Sequence, residues 1–181
     1  MTDRAAVRRL LGLLDADPDR PCLAGTPDRV VRFLTWFAQP DPFEWTTFDA
    51  EGADELVTQG GIPFYSLCEH HLVPFFGVAT VGYIPDGRLV GLSKLARCVE
   101  WYARRLQTQE RITTAVADAV EAALRPRGVG VQLRARHLCM EMRGPRVHDT
   151  WTTTTALRGA LFEKAEARAE FLAAASRPIV W

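Results

Sequence analysis

Two short clusters of histidine and cysteine, far apart in the chain, contain the side chains best suited to chemistry. The first holds Cys68, His70 and His71, and the second holds His137 and Cys139. Together they contain three of the four histidines and two of the four cysteines of the sequence. Thiolate and imidazole are ligands that zinc prefers, and an imidazole that binds no metal transfers protons near neutral pH. The two clusters therefore predict a catalytic metal centre.

The spacing within each cluster divides the residues into ligands and acid–base groups. Cys68 and His71 are three residues apart, so a helical or tight turn directs both side chains to one side. With Cys139 they give three protein ligands and leave a fourth position for water, as in catalytic zinc sites. His70 and His137 then lie beside the metal, where we expect them to act as acid or base.

Other interpretations of these clusters stay open on spacing alone. One is a structural site with two cysteines and two histidines, and another is a core histidine packed beside a buried cysteine. A disulfide between Cys68 and Cys139 is a third, mainly for protein that has lost its metal. A zinc finger is excluded, because the gap between the clusters is far longer than in that motif.

A cationic segment at the end of a predicted strand is a candidate anion site. Gly91, Leu92, Ser93 and Lys94 lead into a helix, and Arg97 follows. Backbone N–H groups, a hydroxyl and two cations at a helix start suit a phosphate. The alternative is an ordinary capped helix with solvated charges. A P-loop is excluded, since the sequence lacks its motif.

A second helix begins at Gln109, Glu110 and Arg111. The carboxylate of Glu110 suits recognition of a purine, because it accepts two hydrogen bonds from an N–H and an adjacent amino group. The alternative is an acid favoured by the dipole at a helix start. The residues alone do not separate these two interpretations.

The overall composition narrows the class of protein. The 181 residues include 22 Lys and Arg and 22 Asp and Glu, so the formal net charge is zero, which argues against a general nucleic-acid binder. No apolar run approaches the roughly 20 residues of a membrane span. The charged start does not resemble a secretory signal, so we expect a cytoplasmic protein whose cysteines are thiols or ligands.

The N-terminal part of the chain is predicted to be helical. One helix is expected over residues 4–14, with Leu10, Leu11 and Leu14 as its apolar stripe. Thr26 is predicted to cap a second helix. The buried face of that helix is expected to contain Val30, Phe33, Leu34 and Phe37. Residues 38–60 are polar and irregular, so we expect a helical segment over residues 1–55 and a catalytic domain over residues 56–181.

The main body is predicted to be α+β, an antiparallel sheet with a pair of helices on one face. Residues 75–84 form a strand that pairs with 88–92 through a turn at 85–87. Two helices follow, the first capped by Ser93. Residues 129–142 form the last long strand, whose alternation places His137 and Cys139 on one face. A closing amphipathic helix is expected over residues 156–175.

Several longer motifs, in this order, resemble the GTP cyclohydrolase I family between Asp15 and Leu172. The similarity is densest in residues 62–71 (IPFYSLCEHH), 83–87 (YIPDG), 91–97 (GLSKLAR), 104–111 (RRLQTQER) and 137–144 (HLCMEMRG). The resemblance implies the tunnelling fold, in which antiparallel sheets join around a ring into a barrel. It further implies a homodecamer of two stacked pentamers, with active sites between subunits.

The resemblance also implies a reaction, the conversion of GTP and water to 7,8-dihydroneopterin triphosphate and formate, the first step of pterin and tetrahydrofolate biosynthesis. Cys68, His71 and Cys139 correspond to the zinc ligands of the family. Water activated by zinc would attack C8 of guanine. His70 would support protonation of the opening imidazole ring, and His137 would assist opening of the ribose.

The same resemblance assigns the substrate contacts. Glu110 corresponds to the residue that anchors guanine N1 and the amino group, with Gln109 beside it. The expected contacts to ribose and triphosphate are Ser93, Lys94, Arg97 and Arg143, with Arg29 as a further phosphate contact.

The chain departs from the family pattern at three places. Pro145 stands where the family has Val or Ile, residues 147–151 fill a loop that is often smaller and more polar, and Thr108 replaces Val.

Three alternative functions stay open: a zinc-stabilised ring scaffold without catalysis, a hydrolase for a modified purine nucleotide, and a nitrile reductase of the same fold. The last lacks the zinc ligand trio, so the trio counts against it.

Overall fold

The computed structural model describes residues 3–176, which form two compact units that meet in sequence at Pro40 and Asp41. The N-terminal unit contains two helices, α1 (Asp3–Leu14) and α2 (Thr26–Ala38), with a single 3-10 turn at Pro21–Leu23 between them. Both predicted helices are therefore confirmed. The unit boundary lies before the expected one at 55/56, because Thr47–Asp49 already pairs with a strand of the second unit.

The details of these two helices differ from the predictions. Gly25, not Thr26, is the N-cap of α2, and the Thr26 hydroxyl accepts a hydrogen bond from Arg29 instead. Phe37 is buried, but Phe33 and Leu34 remain 47% and 40% exposed. A unit of two short helices has too little apolar surface to cover a wide stripe on both of them.

The second unit combines two sheets with two longer and three shorter helices. Its strands are β1 (Thr47–Asp49), β2 (Val57–Cys68), β3 (Pro74–Ile84), β4 (Arg88–Val90), β5 (Leu106–Gln107), β6 (Gly128–His137) and β7 (Thr152–Gly159). Its helices are α3 (Leu92–Ala103), α4 (Gln109–Leu124), α5 (Leu138–Glu141), α6 (Ala160–Glu163) and α7 (Ala165–Ala175). The five-stranded sheet has the order β5-β2-β3-β6-β7, and all its pairs except β2–β5 are antiparallel. The predicted α+β class is confirmed.

The helix pair α3 and α4 covers one face of this sheet, as expected. The apolar positions of α4 recur every three or four residues, and Ile112, Val116, Val120 and Leu124 are all buried. Gly91, not Ser93, caps α3, so Ser93 lies inside the first turn. Arg104 is buried, and it contacts Glu100 at 3.1 Å.

The predicted hairpin between residues 75–84 and 88–92 is wrong. The chain does turn at residues 85–87, but β4 pairs with β1 in a separate two-stranded sheet. Because β2 and β6 occupy both edges of β3, no edge of that strand is left for β4.

The C-terminal strand and helices also differ from the predicted ones. The long strand ends at His137, and Cys139 lies in the short helix α5 rather than on the face of the strand. Arg136 explains this turn, because it binds both carboxylate oxygens of Glu141 and so draws the chain back on itself. The expected helix over 156–175 is divided, since β7 continues to Gly159 to pair with β6.

Within residues 3–176, every helix is too short or too polar to reach across a lipid bilayer.

Candidate active site

The first histidine–cysteine cluster lies on a tight turn at the end of β2. The backbone N–H of Cys68 donates to the carbonyl of Val73 at 2.9 Å, and the N–H of Leu72 donates to the carbonyl of Cys68 at 2.9 Å. Leu72 closes the turn with a positive φ of 55°. The turn directs Cys68 and His71 to one side, as their spacing predicted.

The second cluster meets the first through β6 and α5. The ligand atoms of Cys68, His71 and Cys139 all lie within 4.8 Å of one another. The Cys68 Sγ and His71 Nδ1 atoms are 3.7 Å apart. Bond lengths of about 2.3 Å to sulfur and about 2.1 Å to nitrogen give a tetrahedral edge of roughly 3.6 Å. The three residues therefore fit a zinc ion by donor type and by spacing.

The protein environment of Cys139 favours its neutral thiol. Burial raises the pKa of this thiol, and the adjacent Cys68 raises it further. A thiolate at Cys139 is therefore costly to form unless a cation lies beside it. This cost of forming the thiolate without a cation is a second feature that suits a metal ion.

Of the two remaining histidines of the clusters, His70 lies beside these donors, and His137 precedes Cys139 by two residues at the end of β6. His70 is exposed, with its Nδ1 3.9 Å from Cys68 Sγ and its Nε2 3.7 Å from the carboxylate of Glu69. His137 stacks in parallel on Phe75, with ring centroids 4.8 Å apart. Burial lowers the pKa of His137, and the charge of Glu110 opposes that effect.

The first turn of α4 contributes the two residues expected to recognise a base. Glu110 is exposed, and its charge acts on His137, so it lies near the candidate centre. Gln109 is only 1% exposed, and its Oε1 lies 2.8 Å from His137 Nε2. The side chain of Gln109 is therefore buried in the protein, against His137.

The expected phosphate contacts lie in three places. Ser93 and Arg97 are exposed on the first two turns of α3, with Lys94 between them. Among residues 3–176, no hydrogen bond or ion pair joins these three side chains to the cluster of Cys68. Arg143 does reach it, since its Nη1 is 2.9 Å from His71 Nε2. Arg29 is exposed on α2 in the N-terminal unit.

Sequence reasoning missed three residues that position the site. Arg111 binds the carboxylate of Glu69, and Phe75 supports the ring of His137. Phe75 and His137 are direct partners in the β3–β6 register, so knowledge of that pairing would have identified the contact. No local pattern in the sequence connects Glu69 with Arg111.

This fold and this site together define an α+β enzyme with a candidate metal centre. A family model described as GTP cyclohydrolase I matches residues 3–176, and the chain belongs to this family of hydrolases.

Curated relatives agree with the family assignment. The chain is 53% identical over 175 residues to GTP cyclohydrolase 1 of Mycobacterium tuberculosis (strain ATCC 25618 / H37Rv), covering 93% of this chain and 86% of the relative. It is 54% identical over 175 residues to GTP cyclohydrolase 1 of Mycobacteroides abscessus, covering 93% and 85%. A solved structure of the archaeosine synthase QueF-Like in the apo form is similar at TM-score 0.49 and 20% identity, covering 57% of this chain and 93% of that chain. That likeness is too low to support an argument.

Proposed function

We propose that the chain opens the guanine imidazole ring of GTP by zinc-dependent hydrolysis. After rearrangement the products are 7,8-dihydroneopterin triphosphate and formate, which begins pterin and tetrahydrofolate biosynthesis. The observation that supports this most directly is the convergence of Cys68, His71 and Cys139 within 4.8 Å, with two further histidines beside them.

Zinc is the metal that this donor set favours, because thiolates are soft ligands and the 3.7 Å between Cys68 Sγ and His71 Nδ1 matches a tetrahedral edge. When bound, zinc supplies the Lewis acidity that makes water a nucleophile near neutral pH. The protein's part is to hold three donors at the end of β2, on the turn that follows it and on the short helix α5.

The residues beside the centre bind and protonate the substrate in this proposal. The carboxylate of Glu110 accepts hydrogen bonds from guanine N1–H and the amino group. His70, exposed beside Cys68, supports protonation of the imidazole ring as it opens. His137 moves a proton during opening of the ribose, and its stacking on Phe75 keeps the ring in place for that step.

The triphosphate is proposed to bind at the start of α3, where Ser93, Lys94 and Arg97 join the positive end of the helix dipole. Arg143 and Arg29 are further phosphate contacts. Among the described residues no hydrogen bond or ion pair joins Ser93, Lys94 or Arg97 to Cys68, His71 or Cys139, and in this proposal the site is shared between subunits.

We further propose that the chain assembles into a homodecamer of two stacked pentamers. Strand β7 forms one edge of the large sheet, and β2 is covered by β5 only at Leu67 and Cys68. Two such edges favour pairing between copies, since unpaired strand edges tend to recruit another strand.

The test uses purified full-length protein, zinc and GTP. Formate release and a pterin chromophore should appear together, should stop when a chelator removes the metal, and should return with zinc. Cys139→Ser should show neither product. Zinc-loaded protein that yields neither product defeats the proposal. If metal removal unfolds the chain and X-ray absorption shows four protein ligands, the site is a structural one.

A further inference from the structure

The carboxamide of Gln109 is surrounded by protein on every side. Its Nε2 lies 3.1 Å from the carbonyl of Leu133, 3.0 Å from the carbonyl of Thr152 and 3.1 Å from the hydroxyl of Thr154. Its Oε1 lies 2.8 Å from Nε2 of His137. The first residue of α4 therefore connects β6 and β7 to the imidazole proposed to handle the ribose proton.

The neighbours of Gln109 fix which way its amide faces. Backbone carbonyls only accept hydrogen bonds, so the two at 3.0 and 3.1 Å must face the NH2 group. A flipped amide would place its oxygen against both carbonyl oxygens. The Oε1 atom consequently faces His137, and His137 Nε2 must supply the hydrogen between them.

Two threonines give this network a single direction. The Thr113 hydroxyl donates to the backbone carbonyl of Gln109 at 2.8 Å, so its one hydrogen is used. The Thr154 hydroxyl, 2.6 Å away, must then donate to Thr113. Its lone pairs remain to accept from the Gln109 NH2 group. The Gln109 NH2 group has two hydrogens for three acceptors, so one hydrogen is shared. The two carbonyls still exclude the flipped amide, which leaves Oε1 facing His137.

We propose that Gln109 is a positioning residue that holds neutral His137 as the tautomer with hydrogen on Nε2 and a lone pair on Nδ1. The proton transfer assigned to His137 then uses Nδ1. The Phe75 ring stacks on the His137 ring within 5° of parallel. The stacking fixes the plane of the imidazole, and the hydrogen bond to Gln109 fixes its edge. This inference rests on the proposed function for the role of His137, and it replaces the expected contact between the Gln109 side chain and substrate.

The first test observes the tautomer directly. Zinc-loaded full-length protein with 15N-labelled histidine is studied by solid-state NMR at pH 8, above the ordinary histidine pKa of about 6.5. His137→Gln identifies the signals by their loss. The wild type should show hydrogen on Nε2 and a bare Nδ1. Hydrogen on Nδ1 in the wild type overturns the inference without the need for any variant.

The second test compares Gln109→Met with a matched control. Methionine keeps the length and volume of glutamine but cannot accept from His137. The control, Gln132→Met, removes a second buried glutamine. Gln132 lies in β6, and its amide donates to the hydroxyl of Thr155. We expect the His137 signals to become a mixture of tautomers in Gln109→Met and to stay unchanged in Gln132→Met.

Kinetics separate positioning from substrate binding. In Gln109→Met we expect kcat to fall about tenfold to a hundredfold, which is part of what a general acid or base contributes. The KM for GTP should stay within about twofold of the wild-type value, and the zinc content should be unchanged. A raised KM at unchanged kcat would show a substrate contact and overturn the inference. If the wild type itself forms no product, the proposed function fails, and the NMR result still decides the role of Gln109.

Discussion

Arg111 holds the carboxylate of Glu69 through two hydrogen bonds, of 2.7 and 3.2 Å, across 42 residues of sequence. The same guanidinium donates to Gln107 Oε1 at 3.1 Å, and the Glu69 N–H donates to the carbonyl of Gln107 at 3.2 Å. The turn that carries Cys68 and His71 is thereby joined to the first turn of α4. Two parts of the proposed site that are remote in sequence are thus held at a fixed spacing.

Arg111→Lys should weaken metal binding, although no ligand is changed. A lysine ammonium cannot make the two parallel hydrogen bonds of a guanidinium. We expect zinc affinity, measured by competition with a chelator, to fall about tenfold, as is typical when a residue supporting metal ligands is lost. The matched control is Arg158→Lys, which alters an ion pair between β7 and Asp118 of α4.

Charge exchange gives a stricter version of this prediction. The double variant Glu69→Arg with Arg111→Glu should recover part of the zinc affinity that Glu69→Arg alone loses. No recovery would indicate that the pair is an incidental surface contact.

The contribution of Glu69 to stability should depend on pH. The hydrogen bonds from Arg111 lower the pKa of the Glu69 carboxyl. A carboxyl with a lowered folded-state pKa stabilises the protein above its unfolded pKa, about 4.3, and this contribution is lost as pH falls through the folded value. In urea titrations of metal-free protein, Glu69→Gln should therefore lower the free energy of unfolding near pH 7. The difference from wild type should shrink below about pH 4. A difference that persists unchanged in acid would exclude the ion pair as its cause, and Glu55→Gln provides an exposed control.

His70 and His71 should differ in what their removal does. His71→Ala removes a proposed ligand, so zinc measured by mass spectrometry of the purified protein should be lost. His70→Ala should retain zinc while formate release falls about 10²-fold to 10⁴-fold, the usual contribution of a general acid or base. The reverse pattern would exchange the two assignments.

The parts of this molecule that could be predicted from the sequence are those whose signals lie within a few residues. The sequence predicted the pair of helices that form α3 and α4, and the spacing of Cys68 and His71 indicated a tight turn. Position in a sheet was not predictable in this way. The segment at 88–90 has good strand residues, but its partner is decided by which strands already occupy β3.

Long-range side-chain pairs explain the remaining differences within the site. Alternation continued the strand through Cys139, whereas the Arg136–Glu141 pair ends it at His137 and turns Cys139 towards Cys68. Gln109 was expected to contact substrate, and only the structure shows that its amide lies against two backbone carbonyls and His137. Such contacts depend on the three-dimensional arrangement of β6, β7 and α4.

The reactivity of the four cysteines should report on the metal. In zinc-loaded protein a thiol reagent should modify exposed Cys22 quickly, while Cys68 and Cys139 are held by the metal. Chelation should let the reagent modify these two, although more slowly than Cys22, because Cys68 is buried and burial raises the pKa of Cys139. Cys98 should stay unmodified until the chain unfolds, because burial raises its pKa to about 12. Mass spectrometry of labelled peptides measures each site, and Cys22→Ser confirms the fast one. Equal labelling of Cys68 and Cys139 with and without zinc would contradict the proposed ligands.

The attachment of α7 to the sheet should depend on two glycines that face Phe171. Gly82 and Gly130 are cross-strand partners in β3 and β6, and the fully buried ring of Phe171 lies against both. A Cβ added at Gly130 would be 2.9 Å from three carbons of that ring, closer than packed carbon atoms approach.

Gly130→Ala should therefore lower the free energy of unfolding by about 1–3 kcal/mol, the usual cost of overpacking a core, as measured by urea denaturation. Gly12→Ala is the matched control, because nothing lies within 4 Å of its added Cβ on α1. It should be neutral or stabilising by up to about 1 kcal/mol, since alanine is the better helix former. Combining Gly130→Ala with Phe171→Leu should cost less than the sum of the two single changes, because the smaller side chain makes room for the methyl group. Strict additivity would show that the strain at Gly130 is relieved elsewhere in the sheet.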